Sequence, residues 1–297
     1  MSENIVHTAV VDDCRRLILH GTGVGEAVRD AWTRHHELSR LGGITRSGDT
    51  CIPRILDRAR QAHPQGALSE PHASRVAFAL GWLAHRATDR QMKIVFRQAE
   101  PGQRLSPSAC SVYHDVTALR EVYAMGAEPY RSGIVSPGLD GHPAAALAND
   151  AVIDLFHALL QRSLIELHTL KPDEHDPESW IDALAKLRQR FRVELPRYAQ
   201  ALTHPDPELH QRFVVATRFY DAGDPLIALA RALQHGTALP KVDLDQALAA
   251  SANGSLYARA VARAYRSVSA ADAFLRGTLD DEGFAERIDI GRPELAG

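Results

Sequence analysis

The sequence predicts an all-α protein, a multi-helix bundle. Three observations carry that reading. Apolar residues recur at spacings of three and four along most of the chain, and alternating β-branched runs are essentially missing. Ala, Leu and Arg are abundant while aromatics make up only 6%, a balance that favours helices over sheets. Helix starts are marked by a capping side chain ahead of a proline at Ser106-Pro107, Asp176-Pro177, Asp206-Pro207 and Asp224-Pro225. At that position the missing proline N–H costs nothing. Ser69-Glu70-Pro71 is a looser version of the same signal.

The periodicity places helices near residues 6–19, 24–41, 51–62, 70–98, 107–125, 143–170, 177–201, 207–221, 225–235, 242–250 and 254–276. Met125 to His142 is rich in glycine and proline and reads as a long loop. The expected organisation is one helical domain over residues 1–279, with a candidate division at the polar break 171–177. A loosely held tail is expected over 280–297.

A chain of 297 residues can bury a sizeable core. Its 45% hydrophobic and 24% charged residues are those of a soluble globular protein. A net charge of −3 argues neither for a nucleic-acid-binding surface nor for an acidic tail, and no nucleic-acid partner is expected. Cys14, Cys51 and Cys110 are far apart and odd in number, which reads as reduced thiols rather than a disulfide framework. Met1 to Asp13 lacks the pattern of a secretory signal, and no uncharged stretch reaches membrane-spanning length. A cytoplasmic protein is expected, with its oligomeric state open. Histidine is the unusual count, at fifteen.

Chemistry is concentrated in Gly81-Trp82-Leu83-Ala84-His85-Arg86-Ala87-Thr88-Asp89. His85 and Asp89 are four residues apart, so they leave one face of a helix that also carries Phe78, Trp82, Met92 and Phe96. An imidazole and a carboxylate turned to an apolar interior need a partner. A metal ion is one such partner, and a hydrogen-bonded His–Asp pair is the other. Further candidates are His7 on the first helix, His35-His36, Asp49 in the loop after Leu41-Gly42-Gly43, and Tyr113-His114-Asp115 on the helix after Pro107. Asp150, Asp154, His157 and Gln161 are spaced four, three and four, which suits a solvated helix face. His20-Gly21-Thr22-Gly23-Val24-Gly25 follows a helix and has no closing Lys-Ser/Thr, so it reads as a helix–helix turn and not a phosphate cradle. No Gly-x-Ser-x-Gly elbow is present.

Taken in order, these elements resemble the zinc-dependent phospholipase C family, in particular its uncharacterised bacterial branch, which is related to the single-strand-specific zinc nucleases. The likeness lies in His7-Thr8 opening the first helix, Leu41-Gly42 with Asp49 beyond, the helix bearing Gly81, Trp82, His85 and Asp89, and His114 on the next helix. It covers roughly residues 5–125. It implies the family's all-helical fold and metal-dependent hydrolysis of a small-molecule or lipid phosphoester through a metal-activated water. His7, Asp49, His85, Asp89 and His114 would be metal ligands holding one or two zinc ions, with Asp115 and Lys93 in catalytic roles. Zinc lowers the pKa of its bound water to about 7 and polarises the phosphoryl group. The family commonly has a histidine where this chain has Lys93, and a glutamate where it has Ala118. Lys93 would then meet a substrate phosphate.

Two other readings share these residues. An HD-type phosphohydrolase would use His85, the His114-Asp115 pair and Asp150 or Asp154. A non-catalytic helical binding protein on a degenerate hydrolase fold would carry Lys93 and Ala118 as marks of a lost site.

Overall fold

A computed structural model describes residues 4–45, 49, 51–63, 67–102, 109–123 and 175–290. Every regular element among them is helical. The helices are α1 (Asn4–His20), α2 (Glu26–Arg34), α3 (His36–Ile44), α4 (Cys51–Ala62), α5 (Glu70–Ala99) and α6 (Ala109–Tyr123). After these come α7 (Pro177–Thr203), α8 (Pro207–His210), α9 (Pro225–His235), α10 (Leu244–Ala250), α11 (Leu256–Leu275) and α12 (Asp281–Arg287). A π-turn follows α8 at Gln211–Val215, and a 3-10 turn follows α10 at Ser251–Asn253. The helix expected at 143–170, the loop from Met125 and the stripe from Asp150 to Gln161 lie outside the described residues. No described helix is long and apolar enough to cross a membrane.

The chain forms two compact units. The first comprises Met1–Val6 and Gly102–Ala216, the second His7–Pro101 and Thr217–Gly297. In the first, α6 packs on α7 and on the π-turn. It is buried along most of its length, from Cys110 to Tyr123. The Tyr113 hydroxyl accepts from the Asp206 N–H at the start of α8, and Arg120 donates to the Leu202 carbonyl at 2.6 Å.

The second unit is organised around α5, against which α2, α3, α4 and α11 pack. The middle of α5 is buried on all sides, as Ala79, Leu80, Trp82, Leu83, Ala84 and Ala87 attest. A helix that is apolar all round belongs inside a core. Two glycines let α3 reach it. A Cβ at Gly81 would overlap the Ser39 carbonyl, and one at Gly42 would overlap the Phe78 carbonyl. Next to them, a Cβ at Gly43 would meet Val11 Cγ2 of α1.

Three local departures from the periodic reading have identifiable causes. The helix expected over 24–41 breaks at His35, where φ is −123° and ψ 41°. Beyond the break His36 and Arg40 turn to the buried Asp12, at 2.9 and 2.8 Å, while His35 lies 3.0 Å from Glu70. The helix expected over 207–221 is cut short because the π-turn replaces it from Gln211. Finally, α12 lies where a loosely held tail is expected. Asp280 caps it by accepting from the Gly283 N–H, and Phe284 is buried and stacked on Phe274, ring centroids 4.7 Å apart. Proline-led caps form at Asp176 and Asp206. Asp224 instead accepts from the Ser255 N–H at the start of α11.

The α3–α5 contact yields a direct test. Gly81→Ala lowers the unfolding free energy by about 3–5 kcal/mol, the range of severe overpacking. Gly277→Ala adds a Cβ where φ is 71° with no atom within 4 Å, and costs only about 1–2 kcal/mol. Denaturant titrations of both variants check the difference.

Candidate metal centre

Within the second unit, His7, His85 and Asp89 converge. One ligand atom from each lies within 4.8 Å of the others, and this is the only such group of three or more His, Cys, Asp or Glu among the described residues. His7 stands on α1 one turn before Val11, the residue seated against Gly43. His85 and Asp89 stand one turn apart on α5. The two imidazole rings stack at 4.3 Å between centroids, tilted by 31°.

The orientation of His85 is fixed from behind. Its Nδ1 lies 2.8 Å from the Gly43 carbonyl, which can only accept, so Nδ1 carries the proton. Nε2 is thereby turned to Asp89 Oδ2 at 3.5 Å. A neutral imidazole would set its lone pair against that oxygen. The arrangement closes when a cation lies between them, either a second proton or a metal ion. Backbone anchoring of the distal nitrogen is how metal-ligating histidines are held.

Asp89 is the hub. Its Oδ1 lies 3.1 Å from His7 Nε2, and its Oδ2 lies 3.4 Å from Lys93 Nζ. Burial alone would raise its carboxyl pKa. The positive charge of His85 and the hydrogen bonds from both histidines overcome that and hold it well below the usual carboxylate range. Side-chain exposure rises from 1% at His7 and 6% at His85 to 18% at Asp89 and 30% at Lys93. The centre therefore opens on the Asp89–Lys93 side.

The geometry suits a divalent ion. Ligand bonds of about 2.0–2.1 Å in a tetrahedral zinc site put neighbouring donors about 3.3 Å apart. His7 Nε2 lies 3.1 Å from Asp89 Oδ1 and His85 Nε2 lies 3.5 Å from Asp89 Oδ2, and one donor atom from each residue lies within 4.8 Å of the others. Three protein donors with an open side match the pattern of catalytic zinc sites.

The remaining residues proposed as ligands or catalysts are placed otherwise. Asp49 is half exposed and pairs with Arg86 at 2.7 Å, so it faces an arginine and does not join the group. Arg86 also donates to the Asp289 carbonyl. His114 and Asp115 belong to the first unit. Asp115 is fully buried and accepts from the Ile5 and Val6 amides, each at 2.9 Å, and from the Tyr198 hydroxyl at 2.7 Å. A carboxylate so placed neutralises the first turn of α1, where backbone donors lack helical partners. These bonds give it a structural part in the first turn of α1. His114 Nε2 donates to the Phe213 carbonyl of the π-turn at 2.7 Å. Burial outweighs that bond and the charge of Asp115, pushing the His114 pKa down to about 4. Lys93, expected to meet a substrate phosphate, stands beside Asp89, its Nζ 3.4 Å from Oδ2. Neither His35 nor His36 enters the group, since each has its own carboxylate.

The Gly43 carbonyl is the part of the centre that sequence reasoning overlooks. Its signal is present in the adjacent glycines Gly42-Gly43, which within a helix are costly unless a neighbouring backbone needs the room.

Two measurements follow from these placements. Cobalt or zinc titration of His85→Ala loses at least tenfold in affinity, whereas Asp49→Asn stays within about twofold of wild type. His114 gives a pH dependence. Its neutral form is favoured in the fold, so between pH 6.5 and about 4 the unfolded chain binds the extra proton. Its contribution is fully present above pH 6.5 and is lost as pH falls toward 4, by about 3 kcal/mol. His114→Gln flattens that part of the stability profile; a profile equally steep in the variant would show that His114 is not the group responsible.

No family model matches this chain, and no curated protein or solved structure matches it significantly. The case for a metal centre therefore stands on its own residues.

Proposed function

We propose that His7, His85 and Asp89 hold one divalent cation, zinc by preference, and that the protein hydrolyses phosphoesters in the manner of a phospholipase C-type enzyme. The observation that carries this reading is the convergence of two imidazoles and a carboxylate from two helices, with His85 held by the Gly43 carbonyl so that Nε2 faces Asp89. Zinc, when bound, would supply polarisation of the phosphoryl oxygen and acidification of water. The chain's own residues do the rest. His7 and His85 donate neutral nitrogens, Asp89 offsets part of the ion's charge, and the exposed side toward Lys93 admits the ester.

The HD-type reading is less favoured, because Asp115 commits its oxygens to backbone amides and Tyr198 and His114 is bonded to Phe213. Asp150 and Asp154, its further candidates, lie outside the described residues. The Lys93–Asp89 ion pair favours a second reading, a helical binding protein in which the ammonium supplies the positive charge a metal would bring. Metal analysis combined with a screen of phosphomonoesters, phosphodiesters and phospholipids separates the two. The hydrolase reading expects about one metal equivalent and at least one hydrolysed class. It also expects loss of at least a hundredfold in rate in His85→Ala and Asp89→Asn. A metal-free protein whose melting ignores chelators leaves only the binding reading.

A further inference from the structure

The lysine at the mouth of the centre carries an inference that rests on the metal reading of that site. We propose that Lys93 exchanges partners. It pairs with Asp89 when no cation is held, and with a dianionic phosphoryl group when one is. Divalent cation and phosphate would then reinforce each other's binding, and the site would hold a phosphomonoester dianion, such as diester cleavage releases, more tightly than a diester.

Charge arithmetic supports this. When a dication is held, two neutral imidazoles, one carboxylate and one ammonium leave the centre with a net charge of +2. The ion competes with Lys93 for the Asp89 carboxylate. The ammonium is then left beside a like charge, which is unfavourable where solvent access is limited. A phosphoryl dianion restores neutrality, whereas a diester monoanion leaves an excess of +1. The neighbouring cations are turned elsewhere, because Arg86 and Arg90 both donate to the Asp289 carbonyl, at 2.8 and 3.1 Å. Lys93 is 30% exposed at the open side of the centre. A lysine's flexible four-carbon stem lets its charge move from carboxylate to ligand with little else shifting. Because coupling is reciprocal, a phosphate that recruits Lys93 tightens the metal by the same factor that the metal tightens phosphate.

The test titrates Co²⁺ into the full chain, followed by visible absorption, alone and with saturating inorganic phosphate or dimethyl phosphate. In the wild type, inorganic phosphate strengthens Co²⁺ binding about tenfold, within the usual range of coupling between sites, and dimethyl phosphate does so by less than threefold. In Lys93→Met, Co²⁺ alone binds severalfold tighter than in wild type, and the phosphate effect falls below twofold. Lys93→Arg, which keeps the charge, keeps the coupling. Equal phosphate coupling in wild type and Lys93→Met overturns the exchange while leaving the metal reading intact. Failure of both proteins to bind Co²⁺ removes the metal reading and the exchange together.

Discussion

Gly81 on α5 lies against the carbonyl of Ser39, and Gly42 on α3 lies against that of Phe78. No side chain separates the two backbones. That approach sets the position of the Gly43 carbonyl, 2.8 Å from His85 Nδ1, and so decides which imidazole nitrogen faces Asp89. Gly43 in turn seats Val11, and His7 stands one turn before Val11 on α1. Three helices therefore meet at three glycines, and the donors of the centre sit within a turn or two of that junction. A methyl group there would act on the fold first and on the chemistry through it.

The same unit buries other carboxylates, and comparison with them isolates what is different about Asp89. Asp12 is closed by Arg40 and His36, which hold its carboxyl well below the usual range although burial alone would raise it. Asp13 is closed by Arg16, Arg231 and the Tyr257 hydroxyl. Buried charges survive only with such partners. In the first unit, Asp115 meets the same demand with backbone amides and a tyrosine. Asp89 is the partly exposed member of this set, faced by two imidazoles 4.3 Å apart whose nitrogens could ligate a metal ion. Asp12 and Asp13, by contrast, are each paired with arginine.

Helix boundaries were largely legible because local signals are strong here. Residues 51–62 and 225–235 coincide with α4 and α9, and the Asp176 and Asp206 caps form as the proline-led pattern implies. The break at His35 was not legible. Helical periodicity continues across it, and the break accompanies a turn of His36 and Arg40 toward Asp12, a residue 24 positions earlier. The helix α12 was missed because its apolar content is small. Its buried side chain is Phe284, stacked on Phe274 of α11.

The sequence by itself determined the helical class and the pairing of His85 with Asp89 on one helix face, because both follow from spacing within a few residues. It also determined that Lys93 stands one turn beyond Asp89. Only the tertiary structure decided which distant residues share that face. It brought His7 there through the glycine junction, tied Asp49 to Arg86, and placed His114 and Asp115 in a different unit, on the π-turn and the first turn of α1. The physical reason is that a buried polar group goes to whatever satisfies it. For Asp115 and His114, backbone amides and a carbonyl far along the chain supplied that satisfaction, and no local pattern announces such partners.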